Sequence, residues 1–318
     1  MYNGLVVVNK EKGYTSFDVV AKLRGVFGQK KIGHTGTLDP DAQGVLVICL
    51  GSATKVCGML TDTDKEYEAV LLLGKETDTQ DCSGTVLREL PVTASDQEVR
   101  DEISRFQGEL MQVPPMYSAL KVDGKKLCDL ARAGKSVERR PRKITVYESE
   151  ILGMNLPRVR IRIRCSKGTY IRTLCHEIGR SLGCGGCMES LVRTGTGGFS
   201  IRDAVTVGQL QEAKEQGRLG EFVRSVDSLF PDYPKVMVKE QAGRLLFNGN
   251  PLAAEDVVPL PGEGPGEDVP ALRQEDGVPE DADHSRVRVY DAAGRFCAVY
   301  RYQQESRRLK PVKMFLPL

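Results

Sequence analysis

The chain has 318 residues, 40% hydrophobic and 28% charged, which is typical of a soluble globular protein large enough for two domains. Its net charge is +2, and no stretch approaches the roughly 18 apolar residues that span a bilayer. The first residues hold a short apolar run followed at once by charge, which is not a signal-peptide pattern, so we expect a cytoplasmic protein.

The first 230 or so residues alternate apolar runs, helical patterns and glycines. Helices are predicted over Ser16–Phe27, Asp96–Phe106 and Thr169–Leu182. Strands are predicted over Tyr67–Leu73 and Arg158–Cys165, where apolar residues alternate with polar ones and four arginines of the second strand point outward. This mixture has no regular βαβ rhythm and therefore predicts an α+β fold.

The C-terminal region is interrupted by an acidic segment at residues 255–285. Ten acidic residues and one arginine lie between 255 and 283, a net −9 within a total of +2, so the remainder carries +11. The segment's composition predicts a flexible loop, and the basic remainder suits a protein that binds a polyanion. The flanking sequence predicts a strand, a short helix, a β-hairpin and a last strand. We therefore predict a first domain over 1–232 and a small β-rich domain over 233–318.

The nine cysteines favour reduced, mostly buried thiols, because their number is odd and they lie in apolar segments. The one CxxC, Cys184 to Cys187, is compatible with half a zinc site or a redox pair. It has no second CxxC or histidine pair to complete a metal site, so a structural role is favoured and no metal is expected.

The segment GHTGTLDPDAQG, from Gly33 to Gly44, is rich in turn residues and runs into an apolar strand. It lacks the Gly-Lys-Ser/Thr ending of a phosphate-binding loop. Pro40 disfavours a helical conformation at Asp39, which places that carboxylate on an extended or turn segment beside a core strand. From the residues alone, Asp39 fits either a cleft or a structural Asx-turn.

The blocks NKEKGYTSFDVV and KKIGHTGTLDPDAQGVLVICLGSATK resemble the TruB family of tRNA pseudouridine synthases. The resemblance continues in order through DKEYEAVLLLGKETDTQDCSG, VPPMYSALKVDGKKL, CSKGTYIRTL and LVRTGTGGF, and covers about residues 4–200. It implies a mixed, largely antiparallel sheet flanked by helices and a PUA-like C-terminal domain. The implied activity is the isomerisation of uridine at position 55 of the tRNA T loop, without a cofactor.

The resemblance implies three catalytic residues. Asp39 corresponds to the family's catalytic aspartate, and Arg172, from the GTYIR block, to the arginine that keeps it ionised by lowering its pKa. Tyr67 corresponds to the tyrosine expected to stack on the uracil and to assist removal of the C5 proton.

The resemblance also implies four substrate-binding positions. His34 matches the histidine that helps to flip the base out of the RNA loop, and Tyr170 and Leu191 match positions that line the uracil pocket. Lys10 lies in an N-K-x-x-G element and is expected to support the active-site loop. Asp41 and His176 lie near these positions, but we interpret Asp41 as a solvated loop residue and His176 as structural.

Residues 121–143 are strongly basic and resemble the family's insertion that grips the T arm, so the resemblance implies RNA contact through an insertion at about 108–145. The PUA-like domain should add to this surface, with the acidic loop pointing away from it. The partner implied is tRNA, and the protein is expected to act as a monomer.

Two alternatives remain from the sequence. One is a tRNA-binding folding chaperone that uses the same cleft. The other is a glycoside hydrolase with Asp39 and Asp41 as its carboxylate pair, although residues at i and i+2 would face opposite sides of an extended segment.

Overall fold

The computed structural model describes residues 1–260 and 285–316, which form two main sheets with flanking helices. The helices of these ranges are α1 (Ser16–Phe27), α2 (Cys57–Thr61), α3 (Asp96–Arg105), α4 (Leu127–Arg132), α5 (Ile171–Ser181), α6 (Val207–Glu215) and α7 (Gly243–Phe247). The strands before the second sheet are β1 (Gly4–Lys10), β2 (Ile32–His34), β3 (Gln43–Leu50), β4 (Lys65–Leu73), β5 (Lys75–Thr77), β6 (Val86–Glu89), β7 (Gly108–Gln112), β8 (Lys121–Val122), β9 (Lys125–Lys126), β10 (Arg142–Asn155), β11 (Arg158–Cys165), β12 (Gly186–Thr196) and β13 (Phe199–Ser200). The second sheet comprises β14 (Lys235–Val238), β15 (Leu252–Ala253), β16 (Val257–Pro259), β17 (Arg286–Tyr290), β18 (Phe296–Gln303) and β19 (Arg308–Met314).

The first sheet runs in the order β1-β3-β12-β4-β11-β10-β7, with β2 beside β3 and β13 beside β12. The β12–β3 pair is parallel, and the other pairs of this sheet are antiparallel. The predicted α+β fold with a mixed, largely antiparallel sheet is therefore confirmed. Among the described residues, no helix is long and apolar enough to cross a membrane.

The helices and strands predicted from local patterns are present. Helix α1 begins with a capping box, because the Thr15 side chain accepts from the Asp18 backbone and Asp18 binds back to Thr15. Helix α5 begins two residues after the predicted start, and Gly183 follows its end with φ +75°. In β11 the apolar residues are buried, while arginines of this strand pair with glutamates on the neighbouring strands, as Arg162 does with Glu68 of β4 and Glu150 of β10.

The second sheet has the order β15-β19-β18-β17-β14-β16 and includes the predicted β17–β18 hairpin and final strand. An aromatic group of Phe230, Phe296 and Phe315 packs this sheet against the first one. The domain limit at 232 stays a prediction. Most of the acidic segment, residues 261–284, lies outside the described residues, and so does the predicted direction of that loop.

The parallel contact between β3 and β12 requires a glycine. Gly44 has φ +105° and pairs with Arg193. A Cβ added at Gly44 would lie 2.2 Å from the Arg193 carbonyl oxygen. Gly44 therefore lets the segment that follows Asp39 approach the centre of the sheet.

We predict that Gly44→Ala destabilises the protein by at least about 2 kcal/mol, because it adds backbone strain to a clash with a carbonyl group. Urea denaturation measures the change. Gly25→Ala is the matched control, since a Cβ at that position in α1 meets nothing within 4 Å, and it should leave the stability equal or raised. Equal stabilities of the two variants would contradict the close approach.

Candidate active site

A cavity of about 900 Å³ opens where β3, β12 and β4 lie side by side. Its wall combines residues from the β2–β3 loop, two strands, the start of α5 and the turn between β5 and β6. The lining residues with acidic, basic or phenolic side chains include Asp39, Tyr67, Asp81, Tyr170, Arg172 and Arg193. The volume is in the range of small-molecule sites and suits a single nucleotide.

The loop that carries Asp39 is fixed mainly through its backbone. The Ser16 hydroxyl accepts from the Leu38 amide at 2.9 Å, and the Pro40 carbonyl accepts from the Gly13 amide at 2.9 Å. The buried Lys10 ammonium donates to the same Pro40 carbonyl at 3.1 Å and to two further carbonyls. These contacts hold the loop against the start of α1 and the end of β1, so Asp39 is presented on a rigid support.

Arg172 lies in the first turn of α5, and its side chain is placed between two carboxylates. Its Nη2 is 3.4 Å from Asp39 Oδ2, and its Nη1 is 3.4 Å from Asp81 Oδ2. The guanidinium also donates to the Tyr117 carbonyl at 2.6 Å. The Arg172 side chain is only 7% exposed, whereas that of Asp39 is 41% exposed. The cation is thus held inside, and the carboxylate of Asp39 faces the cavity.

Arg172 lowers the pKa of Asp39, as expected, but its effect is outweighed. Burial raises the pKa of this carboxyl, and Asp81 adds to the rise, so the pKa lies above its ordinary value. Arg172 limits the rise instead of reversing it.

Tyr67 and Leu191 lie on adjacent strands and line the same wall of the cavity. Both are buried, at 9% and 8% exposure. Burial raises the pKa of Tyr67, so its phenol stays protonated at neutral pH. This disfavours a phenolate base and leaves the ring as an apolar surface.

Tyr170 lies at the cap of α5 and is positioned by β7. The Gln112 side chain donates to the Tyr170 carbonyl at 3.1 Å and accepts from its amide at 2.9 Å. Because Gln112 is buried and ends β7, this contact fixes where α5 begins and therefore where Arg172 lies. Sequence reasoning did not single out Gln112.

His34 and Lys10 do not line the cavity. His34 ends β2, two residues before the lining residue Gly36, and burial lowers its pKa. Burial also lowers the pKa of Lys10 to about 8, and its ammonium is directed at backbone carbonyls, as a support of the loop requires. Asp41 is exposed and lies 4.0 Å from Lys12, consistent with a solvated loop residue.

Arg193 is the main lining residue that sequence reasoning missed. It is 1% exposed and lies opposite Tyr67 on one neighbouring strand and Gly44 on the other. Its Nε donates to the Val45 carbonyl at 2.7 Å and its Nη2 to the Gly36 carbonyl at 3.2 Å. Arg193 therefore joins the two ends of the Asp39 loop. Its place two residues after Leu191, on the same strand face, was the available signal.

In the predicted insertion at about 108–145, the part that follows β7 borders the cavity. Tyr117, Ser118, Lys126 and Arg132 contribute to the lining, and the β8–β9 hairpin exposes lysines beside it. Among the described residues, no group of three or more His, Cys, Asp or Glu side chains is placed to hold a metal ion. Both cysteines of the CxxC are buried and free.

Two family models match consecutive parts of the chain. Residues 24–171 match the N-terminal domain of TruB family pseudouridylate synthase, and residues 172–230 match the C-terminal domain of tRNA pseudouridylate synthase B. A protein of Lachnoclostridium phytofermentans named tRNA pseudouridine synthase B is 45% identical, with 99% of this chain and 100% of that protein covered. The protein of the same name from Alkaliphilus oremlandii is 42% identical over 89% of this chain and 95% of its own length.

Solved structures show the same fold. A chain of a Cbf5-Nop10-Gar1 complex is 26% identical, with a TM-score of 0.66 over 99% of this chain and 85% of that chain. A chain of an H/ACA RNP bound to a substrate RNA containing 2'-deoxyuridine has the same TM-score and coverage at 24% identity, which supports the fold alone.

We predict that Arg193→Met destabilises the protein by roughly 2–5 kcal/mol, because two buried carbonyl groups lose their charged donor. Urea denaturation should show this loss, and hydrogen exchange should show faster exchange of amides in residues 36–45. Arg160→Met, an exposed position on β11, is the control and should change neither measurement. Unchanged exchange in Arg193→Met would mean that the arginine does not hold the loop.

Proposed function

The chain belongs to the TruB family of pseudouridylate synthases, and from this membership we propose that it isomerises uridine to pseudouridine at position 55 of the tRNA T loop. The observation that carries the proposal is the Asp39 carboxylate, which faces the cavity and is ion-paired to a buried arginine. The family makes the chain an isomerase. The choice of uridine and the roles of individual residues are the proposal.

A uridine inside a folded RNA loop must leave its stack before a side chain can reach it. The cavity of about 900 Å³ is large enough for the flipped nucleotide, and buried apolar groups form part of its wall. We assign Tyr67 to stacking on the uracil, with Tyr170 and Leu191 completing the pocket. Stacking on an aromatic ring contributes about 1–3 kcal/mol per base.

The reaction breaks the bond from uracil N1 to ribose C1′ and forms a bond from C5 to C1′. The hydrogen on C5 must leave, and N1 gains a proton, so the change needs no redox partner. Asp39 can attack the ribose, attack the base or abstract a ribose proton, and each route requires an ionised carboxylate. Arg172 supplies the positive charge that limits the rise in the Asp39 pKa.

RNA binding is assigned to the basic insertion that borders the cavity. Lys121 and Lys125 are exposed on the β8–β9 hairpin, where they can contact phosphates of the T arm. We assign base flipping to His34, at the start of the Asp39 loop, in its neutral form, since burial lowers its pKa.

We predict that Asp39→Asn abolishes turnover but leaves RNA binding within about threefold, because the amide keeps the shape and loses the negative charge. The measurement is tritium release from T-arm RNA labelled at uracil C5, together with the Kd for the same RNA. Asp41→Asn is the control. Because Asp41 is an exposed neighbour, this variant should release tritium at the normal rate. Tritium release by Asp39→Asn at the normal rate would refute the assignment.

The acid limb of the rate profile should depend on Arg172. The ionised form of Asp39 is the active one, so kcat/KM should fall as the pH drops through the Asp39 pKa. Arg172 lowers that pKa, and its removal should therefore raise the pKa further and move the limb to higher pH. We predict this shift for Arg172→Met, measured from kcat/KM against pH, beyond any general loss of rate.

Arg172→Lys is the matched variant. It keeps the positive charge but has one nitrogen in place of the two that contact Asp39 and Asp81. Its acid limb should lie closer to that of the unaltered protein than the limb of Arg172→Met does. A limb that stays in place in Arg172→Met would show that Arg172 does not set the ionisation of Asp39.

A further inference from the structure

Two thiols meet at the wall of the cavity. Cys82 Sγ and Cys187 Sγ are 3.7 Å apart, and both cysteines are free. Cys82 is exposed and lines the cavity, whereas Cys187 is fully buried in β12. One sulfur is therefore open to reagents in solution, and the other lies directly behind it.

The backbone holds the two cysteines in this register. The Cys82 amide donates to the Met188 carbonyl at 3.0 Å, and the Met188 amide donates to the Gln80 carbonyl at 3.0 Å. The turn between β5 and β6 is thus bonded to β12 next to both sulfurs. Their proximity does not depend on long, freely rotating side chains.

The same turn carries the second carboxylate of the site. Asp81 directly precedes Cys82, and its Oδ2 lies 3.4 Å from Arg172 Nη1. Its other oxygen accepts from the Thr79 hydroxyl at 2.8 Å and from the Ser83 amide at 3.0 Å. Because Asp81 is bonded on both sides of the turn, a movement of Cys82 is transmitted to the carboxylate beside Arg172.

We propose that Cys82 and Cys187 form a dithiol site that takes up an intramolecular disulfide from a low-molecular-weight disulfide, and that this disulfide draws Asp81 away from Arg172. Bond formation brings the sulfurs from 3.7 Å to about 2.05 Å, and we expect the exposed Cys82 to move towards the buried Cys187 and to take the turn with it. The guanidinium of Arg172 then shifts from its position beside the Asp39 carboxylate. A misplacement of about 1 Å in a catalytic group can lower the rate by roughly 100-fold.

The exchange balances without another oxidant. The Cys82 thiolate attacks one sulfur of the small disulfide and releases one small thiol; Cys187 then attacks the Cys82 sulfur and releases the second. The two protein thiols are oxidised, the small disulfide is reduced, and their two protons pass to the released thiolates. Burial raises the pKa of Cys187, and so do the charge and thiol of Cys82, but the contributions from Cys82 end once its sulfur is in the mixed disulfide.

The thiol measurement needs no activity. We expect the full chain, incubated with excess oxidised glutathione, to lose two thiols and two hydrogens in mass and to yield a peptide pair that links Cys82 to Cys187. Cys82→Ser should not give this pair. Cys128→Ser is the matched control, because the Cys128 sulfur lies 3.7 Å from an Asp129 carboxylate oxygen and not beside Cys187. This variant should still give the linked peptide pair. A stable glutathione adduct on Cys82, or no linked pair, would overturn the site.

The displacement of Asp81 is tested by the isomerisation rate and by hydrogen exchange. The rate measurement rests on the proposed function. Oxidised protein should isomerise uridine at least about tenfold more slowly and recover with dithiothreitol, whereas Cys82→Ser should keep its own untreated rate after the same treatment. Hydrogen exchange of residues 77–90 should change on oxidation whether or not the protein is a synthase. A linked pair with unchanged rate and unchanged exchange would overturn the displacement of Asp81. An untreated protein without activity on RNA would contradict the proposed function and leave the thiol result standing.

Discussion

The sharing of one buried guanidinium between two carboxylates is the constraint on which the rest of the site depends. Arg172 is 3.4 Å from both Asp39 and Asp81, so the local charge is one unit too negative for full pairing. Asp81 is 15% exposed and Asp39 is 41% exposed, which leaves the less compensated charge on the group that faces the cavity. A carboxylate in this position is costly to bury, and burial accordingly raises the pKa of Asp39.

That cost explains why the surroundings of Asp39 are so heavily bonded. Lys10 and Arg193 direct their charged groups at carbonyls of the loop and its ends, and Gln112 fixes the cap of α5. The hydrogen bonds of these three buried residues go to backbone groups of the loop and of the helix cap. The core strands supply the stability, while the loop holds an unfavourable charge in place.

Much of the fold could be predicted from the sequence because its signals are local. Alternation identified β4 and β11, and the apolar pattern identified α1 over its full length. Contacts between residues that are distant in the sequence could not be predicted from local patterns. The parallel β12–β3 pairing places Arg193 beside Gly44, and the β5–β6 turn places Asp81 beside Arg172; both depend on long-range register. The raised pKa of Asp39 could not be predicted either, because it depends first on the burial of this carboxyl and then on the nearby Asp81. His34 was assigned to base flipping by its motif; it lies outside the lining of the cavity, and its role stays a prediction.

We have proposed that Asp39, supported by Arg172, acts on one flipped uridine of the T loop. The most direct measurement is to incubate unmodified tRNA transcripts with the protein and to map pseudouridine at single-nucleotide resolution. We expect new pseudouridine at position 55 alone. Pseudouridine at other positions with none at 55, or no pseudouridine from a folded preparation that binds the tRNA, would contradict it.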